Sequence, residues 1–199
     1  MHKNDGIEKA KGVPVVKAVG KSALTRSDAP LGLVIPPYAD DYPRLGKFEV
    51  RCVMLQIAYM ESEFNHSLQI GDYYGRYKVN KRLLKKYGFL DDAENWTGLN
   101  DIQDSDAFLS SAGLQDLIMQ DFLEESYTRL CRINGIRPSD TPDIAAGMLV
   151  LAYAFRDHHD PHRIAAHWRN TGTSEDDARK PGTVYFNAGR YALTSLALN

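Results

Sequence analysis

Two acids close the most hydrophobic helical run in the first half of the chain. Val53-Met54-Leu55-Gln56-Ile57-Ala58-Tyr59-Met60 is followed at once by Glu61-Ser62-Glu63. An acid near the C-terminal end of a buried helix meets the negative end of the helix dipole and an apolar wall. Both disfavour its charged form. A carboxyl group kept protonated in this way can donate its proton to a leaving oxygen, which is general-acid work of the kind a glycosidase needs. Glu61 is the candidate donor, and Glu63 reads as a solvated helix-end side chain.

A second acid stands 11 residues further on. Asp72 falls in "NHSLQIGDYYGRYKV", residues 65–79, which is short, aromatic and broken by Gly71 and Gly75. That pattern predicts a small β-hairpin. Across a cleft from Glu61, at about 6.5–9.5 Å, Asp72 could hold the water of an inverting hydrolysis. An Asp beside a Gly is equally a turn residue, and both readings stay open. Tyr73, Tyr74 and Tyr77 crowd the same stretch. Their rings suit either stacking on sugars or cross-strand packing.

Other clusters carry less. In "DHHDPH", residues 157–162, His158 and His162 are four apart, but Pro161 interrupts the helix that would align them. No third ligand is evident, so neither a metal nor a cofactor is expected. His167-Trp168 fits a cleft wall or a core Trp with a satisfied His. There is no G-x-S-x-G, and hence no nucleophile elbow.

The elements that must position these residues are mostly helical. From Lys47, the residues Phe48, Cys52, Leu55 and Tyr59 recur at 3–4 spacing, with Val50, Val53, Met54, Ile57 and Met60 on adjoining stripes. A helix apolar nearly all round is expected to be central and buried. Asn80 caps a short helix over 81–87 that ends at Gly88. Asp104 or Ser105 starts another. Residues 114–133 form a long amphipathic helix with Gly135 as its stop. Thr141-Pro142-Asp143 opens a helix over 144–156. A short helix over 162–169, a polar loop over 171–182 and a last helix over 183–198 complete the reading.

Five of the nine prolines fall in the first 43 residues, without sustained periodicity. Residues 1–43 are therefore expected to be a proline-containing arm, touching the core where Leu31 to Ile35 are apolar, and 44–199 a single mainly α domain with a minor β element. A length of 199 residues suffices for one sizeable core. The net charge of −2, without a large basic patch, argues against nucleic acid as a partner. No run approaches the roughly 18 apolar residues of a membrane span. The N-terminus leads into no apolar signal core, so synthesis in the cytoplasm without an ordinary export signal is expected. Cys52 and Cys131 lie in apolar helical contexts and read as free buried thiols.

Glu61-Ser62-Glu63-Phe64-Asn65 resembles the E-S-x-F-N signature of the lysozyme-like superfamily, which closes the catalytic helix of goose-type lysozymes and lytic transglycosylases. Gly75-Arg76-Tyr77-Lys78-Val79 is similar to the G-x-Y-Q-x stretch that follows in phage-type peptidoglycan hydrolases, with Lys78 where Gln is usual. Trp96-Thr97-Gly98, Ala146-Gly147-Met148-Leu149 and His167-Trp168 keep the order of phage-encoded and interbacterial-effector members. Phe186-Asn187-Ala188-Gly189 looks like the Y-N-A-G of transglycosylases, with Phe for Tyr.

The resemblance spans residues 48 to about 195. It implies a lysozyme-like α+β fold with a central buried catalytic helix and a small β-hairpin. It also implies a muramidase that cuts peptidoglycan between N-acetylmuramic acid and N-acetylglucosamine. Carried over residue by residue, Glu61 is the acid and Ser62 supports it. Asp72 matches the hairpin acid of phage-type muramidases. Tyr74, Tyr77, Trp168 and Asn187 become candidate sugar contacts. Two alternatives stay open: a lytic transglycosylase, in which the substrate's own 6-hydroxyl attacks, and a wall-binding module without turnover. The expected setting is the cell wall of a host or target cell. The protein is reached there either as a phage lysis enzyme or as a secreted effector with a cognate immunity protein as partner.

Overall fold

A computed structural model describes residues 34–35, 37–171 and 181–194. Most of the expected N-terminal arm, the loop residues 172–180 and the end of the last expected helix lie outside the described residues. The chain is mainly helical, with a small three-stranded antiparallel sheet. In order come α1 (Lys47–Ser62), β1 (Gln69–Ile70), β2 (Tyr73–Tyr74), β3 (Val79–Asn80), α2 (Lys81–Lys86), a 3-10 turn (Leu99–Asp101), α3 (Ser105–Ser110), α4 (Ala112–Arg132), α5 (Pro142–Ala154), α6 (Pro161–Thr171) and α7 (Pro181–Thr194). The chain ahead of α1 is already packed at Ile35, which is buried and donates its amide to the Leu45 carbonyl at 3.1 Å. The buried Tyr127 hydroxyl reaches the Pro43 carbonyl at 2.6 Å.

Local chemistry sets most boundaries. The Asn80 side chain accepts the Leu83 amide at 2.9 Å and opens α2. Asp104 caps α3 through the Ala107 amide at 2.8 Å. Pro142 occupies the first turn of α5, and Pro161 opens α6 rather than breaking it. The stop after α4 is Asn134 in the left-handed region at φ 57, one residue ahead of the Gly135 that the sequence suggests. Asn tolerates that conformation because its short polar side chain bonds locally.

The central helix is α5, not α1. Every residue from Ala145 to Tyr153 is buried, and the helix is packed by α1, α4, α6 and α7. The closest approach is to α7. A Cβ on Gly189 would lie 2.7 Å from both the Ala146 carbonyl oxygen and the Gly147 Cα, and one on Gly147 would lie 2.8 Å from Phe186. Two helices meet there backbone to backbone because glycine leaves the space.

By contrast, α1 lies at the rim. Val50, Val53, Met54, Ile57 and Ala58 face inward, while Phe48, Leu55 and Tyr59 are exposed. A helix apolar on nearly every side carries no periodicity that singles out its inner face, and the expectation of burial nearly all round fails at Phe48, Leu55 and Tyr59. Phe64 is exposed and rests on the Tyr59 ring at 5.7 Å. Cys52 and Cys131 are free, buried thiols.

The expected hairpin is a meander of two. Gln69 pairs with Tyr74 and Ile70 with Tyr73 across the Gly71-Asp72 turn; Tyr73 then pairs with Asn80 and Tyr74 with Val79. Gly71, at φ 55, supplies the positive dihedral that such a tight turn requires.

On α6, His162 is buried, its ring 6.2 Å from Phe122 and its Nε2 2.9 Å from the Ser126 hydroxyl. Burial, and after it the Arg129 cation, push its pKa down to about 4. An unfolded histidine takes up its proton near 6.5. Between these values the unfolded chain binds a proton that the fold refuses. This contribution to stability is therefore complete above pH 6.5 and is lost as pH falls towards 4.

Two outcomes follow for stability. Gly189→Ala is expected to destabilise the fold by about 1–3 kcal/mol by prising α7 off α5, read by urea denaturation. His162→Phe is expected to reduce the slope of unfolding free energy against pH between 6.5 and 4.5, with the slopes of the two proteins unchanged relative to each other above pH 7.

Candidate functional site

The site is built where α1 and α5 end side by side. Both are strongly apolar helices that finish on a charge: Glu61 in the last turn of α1, and Arg156 two residues beyond α5. Both side chains are 6% exposed. The guanidinium forks the carboxylate, Nη1 to Oε1 at 3.1 Å and Nη2 to Oε2 at 3.0 Å. A two-pronged contact of this kind is strong and fixes the planes of both groups.

Arg156 is itself held on every side. Its Nη1 donates to the Tyr153 carbonyl at 3.1 Å and its Nε to the Lys78 carbonyl at 3.3 Å. Its guanidinium carbon lies 4.4 Å from the Tyr153 ring centroid and 5.7 Å from that of Tyr73. Burial works against its charge, but Tyr153 and Glu61 outweigh that and hold its pKa above the ordinary arginine value. A second cation, the Lys78 ammonium, lies 3.8 Å from Oε2 of Glu61. Glu61 thus faces a guanidinium where the sequence predicted an apolar wall. Its carboxyl group therefore lies between two cations, Arg156 and Lys78. Tyr185 of α7 borders the site, its hydroxyl pKa raised by burial first and by the Glu61 charge second.

The backbone beyond Glu61 is strained. Glu63 at φ 51 and Phe64 at φ 68 both take the left-handed conformation, which costs a non-glycine residue on the order of 1 kcal/mol. The two left-handed residues end α1 sharply, with the Glu63 amide on the Tyr59 carbonyl and the Phe64 amide on that of Ala58. Ser62 supports the site from the side. Its hydroxyl lies 2.7 Å from the Arg76 carbonyl in the loop between β2 and β3 and 3.2 Å from the Ala58 carbonyl of its own helix.

Gln115 of α4 is fully buried and braces the same loop. It accepts the Arg76 amide at 3.0 Å and donates to the His66 carbonyl at 3.0 Å. A Cβ on Gly75 would lie 2.2 Å from the Gln115 amide oxygen, so glycine is required for this strut. The Tyr153 hydroxyl donates to the Tyr77 carbonyl at 2.5 Å.

The remaining expected residues scatter. Asp72 is two-thirds exposed on the β1–β2 turn and ion-paired with Lys81 at 2.7 Å. Tyr74 and Tyr77 are buried and unavailable to a ligand. Tyr74 stands edge-on to Trp96 and Phe108, and the Tyr77 hydroxyl bonds Asp116 at 2.6 Å. Cross-strand and core packing explain that tyrosine cluster, with Tyr73 the exception. Trp168 packs on Phe186 at 5.3 Å and over Gly182, in the α6–α7 contact. Asn187 is half-buried on α7 beside Phe186. His158 and His159 are exposed, and their carbonyls accept Arg82.

The residues that sequence reasoning missed as parts of this site are Arg156, Asp157 and Gln115. Arg156 had one legible signal: like Glu61, it closes an apolar helical run. Asp157 accepts the Tyr73 hydroxyl at 2.9 Å on Oδ2 and the Asn80 amide at 2.5 Å on Oδ1.

Two recesses open here. One of about 370 Å3 lies at the end of α1, lined by residues Tyr59 to Glu63. The other, about 540 Å3, is lined by the β1–β2 turn, Tyr73, Asn80, Lys81, Arg82 and Asp157. A recess of about 750 Å3 on α4 is larger, but its wall is mixed acid and base, including Glu124, Glu125, Arg129 and Arg132, with no aromatic surface. Comparison with family models, curated proteins and solved structures finds no match.

The ion pair carries a stability prediction. Arg156→Met strands a buried carboxylate and is expected to cost about 3–5 kcal/mol in urea denaturation. Glu61→Gln together with Arg156→Met is expected to cost clearly less than the sum of the two single changes, since the pair fails as one unit.

Proposed function

We propose that the protein is a glycoside hydrolase of the lysozyme-like type, cutting the glycan strand of peptidoglycan between N-acetylmuramic acid and N-acetylglucosamine. One observation carries the reading. The Glu61-Ser62 pair ends α1 against the loop between β2 and β3, with Ser62 tied to the Arg76 carbonyl of that loop and Glu61 buried between Lys78 and Arg156. This is the placement that the E-S-x-F-N resemblance implies for a general acid.

In the proposed reaction, sugar binding opens the Arg156 fork, and Glu61, loaded with a proton from solvent, passes it to the glycosidic oxygen as the bond to the anomeric carbon breaks. Water adds to the anomeric carbon and completes the cut, and its proton leaves to solvent.

A second reading is a wall-binding module without turnover. It is favoured by the bonding of both Glu61 oxygens to Arg156, since a sugar would have to open a buried ion pair to engage the group.

Glu61→Gln is expected to keep the helical circular dichroism of the native chain and to abolish the loss of turbidity of purified cell walls. Clearing at the native rate by that variant would remove Glu61 from the chemistry. Binding to sacculi by the native chain, with no soluble fragment released, favours the module; 1,6-anhydro ends on the fragments favour a transglycosylase.

A further inference from the structure

We propose that Asp157, rather than Asp72, is the second carboxylate of the glycan cut, the group that holds the attacking water and takes its proton. The assignment rests on the hydrolase reading above.

The two acids line the same recess of about 540 Å3, so position alone does not separate them. Their partners do. The Asp72 charge is matched by the Lys81 ammonium at 2.7 Å, on a turn where the side chain is two-thirds exposed. Lys81 also bonds Glu94 at 2.8 Å, so it is held in place there. The ammonium thus occupies the Asp72 oxygen that a water would need.

Asp157 is fixed differently. One neutral donor reaches each oxygen, the Tyr73 hydroxyl on Oδ2 and the Asn80 amide on Oδ1. Asn80 is buried and pinned by its capping bond to Leu83, so this contact orients the carboxylate firmly. Both direct donors are neutral; the neighbouring Arg156 cation, whose pKa Asp157 helps to raise, is itself bonded to Glu61. Each carboxylate oxygen also keeps a lone pair for a further partner. The Tyr73 hydroxyl is raised above its ordinary pKa, with the bond to Asp157 the largest cause, as expected beside an anionic acceptor.

Asp157 is also coupled to the acid. It follows Arg156 directly in the chain, and Tyr73 links the two groups. The Tyr73 ring lies 5.7 Å from the guanidinium that forks Glu61, while its hydroxyl holds Asp157. The row Glu61, Arg156, Tyr73, Asp157 is one contact chain with a carboxyl group at each end, Glu61 beside the recess at the end of α1 and Asp157 on the other.

The step balances as follows. Glu61 gives a proton to the glycosidic oxygen as the bond from that oxygen to the anomeric carbon breaks. The water oxygen bonds to the anomeric carbon, and its proton passes to Asp157. Asp157 then releases that proton to solvent, and Glu61 is reloaded from solvent. No further reactant is needed.

The test uses the full chain on purified sacculi, with fragments separated and their anomeric configuration read at early times. Asp157→Ala is expected to lower fragment release by about 100-fold or more with its circular dichroism retained. Sodium azide is expected to restore cleavage and to yield a glycosyl azide of inverted configuration, because azide attacks without a base. Such rescue is not expected of a side chain that only braces the fold. Asp72→Asn is expected to stay within about twofold of the native rate.

If Asp157→Ala loses its helical signal, Asp157→Asn, which keeps one acceptor oxygen, replaces it in the same comparison. Native hydrolysis that depends on Glu61 but is indifferent to Asp157 overturns the assignment alone. So does a loss in Asp157→Ala that azide fails to rescue, or a first product of retained configuration. No fragment from the native chain, anhydro ends, or full activity in Glu61→Gln overturns the hydrolase reading and this assignment with it.

Discussion

The buried pairing of Glu61 with Arg156 is the contact around which the other features of the site are arranged. Taking a carboxylate and a guanidinium out of water costs several kcal/mol for each ion, and only good geometry with further hydrogen bonds repays that cost. The structure goes far to meet that demand. The fork is two-pronged, two of the three remaining guanidinium hydrogens go to the Tyr153 and Lys78 carbonyls, and two aromatic rings flank the charge. These further partners come from α5, from β2 and from the loop ahead of β3. The pair therefore joins α1, α5 and the small sheet at one point.

The sheet needs such a point. Its strands are two residues each, far below what stands alone in water. It holds its shape through bonds from the helices: Ser62 from α1, Gln115 from α4, Tyr153 from α5, and Arg156 and Asp157 just beyond it. Several of these end on backbone carbonyls or amides of residues 76–78. That loop is consequently rigid although it is short of regular structure. The cost appears in the backbone, where Glu63, Phe64 and Lys78 all sit at positive φ. Strained residues that cluster around a buried charge are common at functional sites, because the surrounding contacts over-determine them.

Such a site suits chemistry that moves protons near an anion. The carboxylate is oriented, shielded from bulk water and bordered by Tyr73, Tyr185 and two cations, and a second carboxylate is held by neutral donors close by. The contrast between Asp72 and Asp157 shows why residue type alone is a weak guide. Both are aspartates on the wall of one recess, yet one is matched by an ammonium and the other is held by an amide and a hydroxyl. The buried tyrosines make the same point. Tyr74 and Tyr77 have the chemistry of sugar contacts but serve the core, and Tyr73 alone of the cluster takes part in the site.

Read by itself, the sequence determined the helical class, the short β segment, the cap at Asn80 and the proline start of α5. These are local matters, decided within a few residues by periodicity, capping and turn chemistry. It pointed to α1 as the central helix, because α1 and α5 are both apolar on most sides; the Gly189 contact with Gly147 puts α5 in the middle. It also left open what Glu61 faces. The answer lies 95 residues away, in an arginine that no local rule connects to the acid. A carboxyl group against an apolar wall and one in a guanidinium fork look alike along the chain. Only the tertiary structure chooses between them, because an ion pair depends on distance in space and not on spacing along the chain.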